Sequence, residues 1–133
     1  MGLGVISWAS KKQPIVAQST AEADYIAANA AACQAIWLRR ILVDLCERQE
    51  DATTIFCDNI SSIALSKNPI FHGRSRHIEI IYHFIRELVE NEDIKMEYCR
   101  FEQQLADIFT KPLGMASFVH LRDCLGVIDL DQE

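Results

Sequence analysis

No stretch of this 133-residue chain approaches the roughly 18 consecutive apolar residues that a membrane-spanning helix needs, so the sequence predicts no span. The opening MGLGVISWASKKQ lacks the basic start and long apolar run of a signal peptide. Gly2 invites myristoylation, but Ile6 stands where that motif requires Ser or Thr. There is no CxxC pair. The cysteines (33, 46, 57, 99 and 124) are odd in number and scattered, mostly within apolar runs. That excludes a disulfide framework or a zinc site, and points to a reducing intracellular setting, cytoplasmic or nuclear. An excess of positive charge is also missing, since the formal net charge is -6. An acidic chain gains nothing from bulk charge on approaching a polyanion. Any nucleic-acid contact falls to local basic clusters, Lys11-Lys12 or Lys67, Arg74 and Arg76. No stacking platform for single-stranded bases is legible, and Trp8 and Trp37 are expected in the core or on a sheet face. Repeats and low-complexity segments are absent.

What is present suits one α/β domain over 1–126 with an acidic tail at 127–133. Half the residues are hydrophobic and 24% are charged, enough for one core and against disorder. Short extended pieces are expected at 4–10 and 14–18, broken near Pro14. Ser19 or Thr20 then opens a helix to about 48, with an apolar stripe Ile26, Ala30, Cys33, Trp37, Ile41 and Leu45. The wholly apolar run 54–57 reads as a strand covered on both faces. A short helix follows, stopped by Pro69. A strongly periodic helix spans 77–91. Ile94, Met96 and Tyr98 alternate with Lys95 and Glu97 as a strand. A helical turn or two lies near 102–110, and a last short helix ends near Gly126. Strands alternating with helices predict a mainly parallel sheet.

Three carboxylates stand out, each with two readings. Glu22 completes Ser19-Thr20-Ala21-Glu22, a capping box. It also shares the helix face of Ile26, Ala30 and Cys33, where a buried carboxylate calls for a cationic partner. Asp58 ends an apolar strand and precedes a helix. It reads as an N-cap or, beside polar Asn59, as a ligand at the carboxyl end of a sheet. Asp107 sits among Leu105, Ala106, Ile108 and Phe109, as a solvated acid on an apolar turn or as a third ligand. Several converging carboxylates without His or Cys ligands suit Mg²⁺, and a pair of such ions can drive phosphodiester cleavage.

The phrases ISWASKKQPIVAQSTAEADYIA, CDNISSIAL, NPIFHGRSRHIEIIYHFIRE and QLADIFTKPLG occur in that order. Together they resemble the ribonuclease H domain at the end of the polyprotein of copia-type LTR retrotransposons, over about residues 4 to 126. The resemblance implies a ribonuclease H-like mixed sheet with flanking helices. It also implies two-ion Mg²⁺ hydrolysis of the RNA strand of RNA–DNA hybrids, and an upstream reverse transcriptase region as a neighbour. By motif, Glu22, Asp58 and Asp107 match three of the family's four catalytic, metal-binding acids. Asn59, Arg74, Arg76 and His77 fall where substrate contacts are expected. His77 also reads as a helix-start residue bonded within its loop, and His83 as structural.

Two departures are mild. The family has Glu where this chain has Asp24, expected on an exposed turn. It has Thr where this chain has Phe101, which removes an N-cap at a cost of about 1 kcal/mol. A third is large. The family carries two more strands before ISW, the first holding the fourth acid, and these 133 residues contain neither. The resemblance therefore implies a sheet lacking the family's first two strands and a two-ion site that is incomplete, with weak or no cleavage. Strand 4–18 is expected to re-pair beside 54–57, or a partner chain to supply the missing strands, or the chain to be marginal and aggregation-prone. The rival reading is a non-catalytic retroelement remnant that binds nucleic acid or a protein.

Overall fold

The computed structural model describes residues 5, 7–14, 16–67 and 76–127, with side chains described from 79 onward in the last segment. They gather into two compact units, one from residues 13–98 and one from 1–12 with 99–133.

The larger unit runs α1 (Thr20–Asp44), β1 (Thr53–Cys57), α2 (Ile60–Lys67), α3 (Arg76–Glu90) and β2 (Ile94–Tyr98). β1 and β2 pair in parallel, Thr53 opposite Ile94 through Cys57 opposite Tyr98. The expected mixed α/β character and parallel pairing are present. The re-pairing of 4–18 is not, because β1 takes β2 as its partner and the described residues of 5–18 are irregular. One face of the sheet is covered. Ile55, Cys57, Ile94 and Met96 are buried there, while Phe56, Lys95 and Glu97 stand exposed on the other. This corrects the expectation of cover on both faces.

Two parallel strands are marginal alone, so the helices supply most of the core. Tyr82, Ile85 and Leu88 recur at three-residue steps on α3 and are buried with Tyr25, Ala28 and Ala32 of α1. The Tyr25 and Tyr82 rings stack with centroids 4.4 Å apart. The buried face of α1 is therefore not the expected stripe. Ala30, Cys33 and Leu45 are exposed, and Trp37 is 55% exposed. Of that stripe only Ile26 is buried; the small side chains of Ala28 and Ala32 let α1 approach closely beside buried Tyr25, and Trp37 and Leu45 are turned outward. By length and composition α1 is apolar enough to cross a membrane, but its buried face is used in this core. Arg39 ties the α1–β1 loop to that helix, donating to the carbonyls of Asp51 (2.6 Å) and Gln49 (2.9 Å) and to Thr53 Oγ1 (3.1 Å).

Three helix ends share one device. After α1, the Cys46 and Glu47 amides donate to the Val43 and Leu42 carbonyls. After α3, Glu92 and Asp93 donate to Val89 and Leu88. After α4 (Met115–Cys124), Gly126 and Val127 donate to Asp123 and Arg122. Each is a Schellman motif with a left-handed residue at its bend. Only α4 uses glycine there (φ 73°), whereas Cys46 and Glu92 hold φ 62° and 58°. An L side chain pays for that conformation. Cys46→Gly and Glu92→Gly are each expected to stabilise by about 0.5–1 kcal/mol, read as a raised urea midpoint with unchanged slope.

Burial pushes the Tyr25 hydroxyl above its ordinary pKa of 10.0, with nearby Arg86 opposing and Tyr82 adding to the shift. The folded state thus keeps a proton that the unfolded chain releases above about pH 10. Tyr25 contributes fully below that pH, and its contribution is lost as pH rises toward its folded pKa. The urea midpoint is expected to fall as pH rises above about 10, and Tyr25→Phe to flatten that fall.

In the smaller unit, the 3₁₀ turns Phe101–Gln103 and Leu105–Phe109 precede α4. Neither turn has a side-chain cap; the cap positions are Arg100 and Gln104, and Phe101 stands inside the first turn rather than at the cap expected for it. Leu121, Leu125 and Cys99 are buried, and the Val5 amide donates to the Leu125 carbonyl at 3.1 Å.

Candidate functional site

Glu22 enters the first turn of α1 because Ser19, in extended backbone, caps that helix. Ser19 Oγ accepts the Glu22 amide at 3.2 Å, and Glu22 Oε2 accepts the Gln18 amide at 2.6 Å. The capping reading therefore holds, together with the burial expected of that helix face. Glu22 reaches back to the helix start, one residue earlier than in a standard capping box, and it is buried, 1% exposed.

Asp58 follows the last residue of β1, at the carboxyl end of a parallel strand. It is not the cap of α2. Asn59 is, with Oδ1 accepting the Ser61 and Ser62 amides at 3.0 and 3.4 Å. Asn59 Nδ2 donates to Asp24 Oδ2 at 2.8 Å, and Ser62 Oγ donates to the Ala21 carbonyl at 2.7 Å. These bonds hold the start of α2 against the first turn of α1. They place Asp58 and Glu22 at neighbouring element starts of one unit. Asp24 is accordingly half-buried and bonded, not on the exposed turn expected for it. Asn59, expected to touch substrate, has both ends of its amide engaged within the unit. The half-exposed Asp58 carboxylate makes no hydrogen bond or ion pair among the described residues.

Beside it, Cys57 is buried, and burial is the main cause raising its thiol pKa above 9.0. That thiol is packed rather than poised to react.

Asp107 belongs to the smaller unit. It is 5% exposed, which corrects the solvated reading, and Lys111 Nζ lies 3.0 Å from its Oδ2, one helical turn on. Lys111 also sits over the Phe101 ring, 4.2 Å from its centroid. The i, i+4 spacing of Asp107 and Lys111 was the available sequence signal for this pair. A Mg²⁺ site would need such carboxylates to converge with oxygens to spare. Among the described residues, no group of three or more His, Cys, Asp or Glu side chains could hold a metal ion. Asp107 is already paired with a cation.

Of the expected substrate contacts, Arg74 lies outside the described residues. Arg76 and His77 begin α3, and their side chains also lie outside them. Lys67 ends α2 and is exposed, and His83 is exposed on the outer side of α3 with Glu79 and Ile80.

No family model matches the chain, and no solved structure matches it. Curated relatives do. The chain is 40% identical over 124 residues to the retrovirus-related Pol polyprotein from transposon TNT 1-94 of Nicotiana tabacum, which is 93% of this chain. It is 37% and 36% identical to the Pol polyproteins from transposons RE1 and RE2 of Arabidopsis thaliana, over 96% of its length in each case. The chain spans 9% of the length of each relative. Over nearly its whole length, then, this chain is homologous to one short segment of the retrovirus-related Pol polyproteins of plant transposons.

Proposed function

We propose that this segment is the ribonuclease H-like portion of a copia-type Pol polyprotein. Its activity would be hydrolysis of the RNA strand of RNA–DNA hybrids with Mg²⁺. These 133 residues would supply only part of that centre and would be weak or inactive alone. The observation that carries the reading is Asp58, a half-exposed carboxylate with no hydrogen bond or ion pair among the described residues, at the carboxyl end of a parallel strand. Its neighbour Asn59 does the capping that would otherwise account for it. Buried Glu22 begins the adjoining helix, and both acids stand in phrases shared with that family. The fourth acid, two further strands and a neighbouring reverse transcriptase region would come from elsewhere in the polyprotein.

The test uses a labelled RNA–DNA hybrid with Mg²⁺. The 133-residue chain is expected to cut no faster than its Asp58→Asn variant. A longer chain, carrying ahead of Met1 the two strands and aspartate that the resemblance places there, is expected to cut, and Asp58→Asn to abolish that cutting. A longer chain that folds and binds hybrid but never cuts would overturn the reading. One observation favours the second reading, a non-catalytic binding remnant: Asp107 is already neutralised by Lys111. Under that reading, hybrid or protein binding persists without cleavage in either chain.

A further inference from the structure

We infer that His120 and Cys124 form one half of a zinc site, which two copies of this chain close with two thiolates and two imidazoles. This does not rest on the cleavage reading. The two residues stand four apart on α4, and Cys124 Sγ lies 3.9 Å from His120 Nε2. Zn–S and Zn–N bonds of about 2.3 and 2.0 Å, at a tetrahedral angle, hold their donor atoms about 3.5 Å apart. The pair is thus a small side-chain rotation away from straddling one ion. Both residues are exposed, so an ion can reach them. The helix beneath is fixed. Each ligand precedes a buried leucine, Leu121 and Leu125, and the turn at Gly126 closes α4 just after Cys124. The absence of CxxC, which argued against zinc, does not touch this arrangement. Four residues along a helix also sets two ligands side by side.

Ligand chemistry selects the ion. A thiolate with an imidazole suits zinc, whereas Mg²⁺ takes oxygen. The two remaining positions of a tetrahedral ion select a second copy. Among the described residues, no group of three or more His, Cys, Asp or Glu side chains could hold a metal ion. Adjacent Asp123 is held by Arg122 at 2.9 Å, and Cys99, the other cysteine of this unit, is buried. A two-fold contact through α4 supplies the same pair again, because an isologous interface presents each residue twice. Ala116 and Ser117 lie on the helical face of His120 and Cys124 and are exposed. Their small side chains leave room for a second α4 to come close enough to share the ion. Binding releases the thiol proton to solvent and leaves a thiolate on the metal, so affinity rises with pH.

The test titrates the full chain, kept reduced by a phosphine, with Co²⁺ as a coloured stand-in for Zn²⁺. The visible absorption of tetrahedral cobalt, with a sulfur-to-cobalt charge-transfer band, is expected to saturate at one ion per two chains. Added Zn²⁺ is expected to abolish it. Sedimentation equilibrium with Zn²⁺ is expected to show a doubled mass that EDTA reverses and Mg²⁺ does not produce. His120→Ala and Cys124→Ser, both at exposed positions, are expected to keep the helical circular dichroism. Each is expected to weaken cobalt binding more than about 10-fold, since even the outer partners of a metal ligand cost that much. Cys33→Ser with Cys46→Ser removes the exposed thiols of the larger unit, and is expected to change neither the spectrum nor the mass. The inference is overturned by absence of cobalt binding, or by saturation at one ion per chain without a change of mass. It is equally overturned by a signal that survives both His120→Ala and Cys124→Ser, or by a dimer that forms equally in EDTA.

Discussion

Ile85→Ala is expected to destabilise the protein by about 2–5 kcal/mol. Ile85 is 0% exposed, at the centre of the buried stripe Tyr82, Ile85 and Leu88. Removing its outer carbons forfeits transfer free energy and leaves a cavity in a core that Tyr25, Ile55 and Ile94 also build. That core draws on a second helix and both strands, so no one element can shift freely to fill the space. Small domains hold about 5–15 kcal/mol in all, and a core built on two strands has little reserve. The loss should appear as a lower urea midpoint with unchanged slope. Ile80→Ala is the internal control. That isoleucine shares the helix but is exposed, and its change is expected within about 0.5 kcal/mol. Equal effects at the two positions would mean that α3 does not seat this face on the sheet.

The pair of substitutions also shows where the sequence was informative. α3, β1 and β2 were legible because their apolar residues repeat at one clean period. The boundaries 76–90, 53–57 and 94–98 fall within a residue or two of the pattern. The open sheet face was not legible from a short apolar run, because Phe56 looks like a core residue until a strand is known to be covered on one side only. On α1 the pattern misled. Its stripe is right at Ile26 and wrong at Trp37 and Leu45, because beyond the first turns Ala28 and Ala32 take the core positions by virtue of being small. Hydrophobicity ranks side chains by transfer free energy, whereas close helix approach selects for volume. The end of α1 was overestimated for a related reason. Cys46 performs a glycine's task, so the usual stop signal was missing.

The candidate site divides the same way. Glu22, Asp58 and Asp107 drew attention through shared phrases, since each alone had an ordinary local explanation. Spacing could have shown Lys111 beside Asp107. It could not have shown that Asn59 rather than Asp58 caps α2, because both residue types cap well and one position decides between them. The bond from Asn59 to Asp24 crosses 35 residues, beyond any local rule.

Glu22 supports the second large prediction, because its two roles respond differently to substitution. Glu22→Ala is expected to cost about 1–3 kcal/mol. It removes the acceptor of the Gln18 amide, which then loses a 2.6 Å bond, and it removes negative charge from the first turn of a 25-residue helix. Glu22→Gln keeps an oxygen at the same reach and loses only the charge, so it is expected to cost less than about 1 kcal/mol. Ser19→Ala removes the other half of the arrangement and is expected to cost about 1 kcal/mol. Neither Ser19 nor a glutamine at 22 offers a carboxylate, which separates folding from chemistry. In the longer chain used for cleavage, Ser19→Ala should retain activity in proportion to the fraction folded, while Glu22→Gln should fold and fail to cut. A Glu22→Gln chain that folds and still cuts would show that this carboxylate only caps the helix, and the reaction would have to depend on other acids.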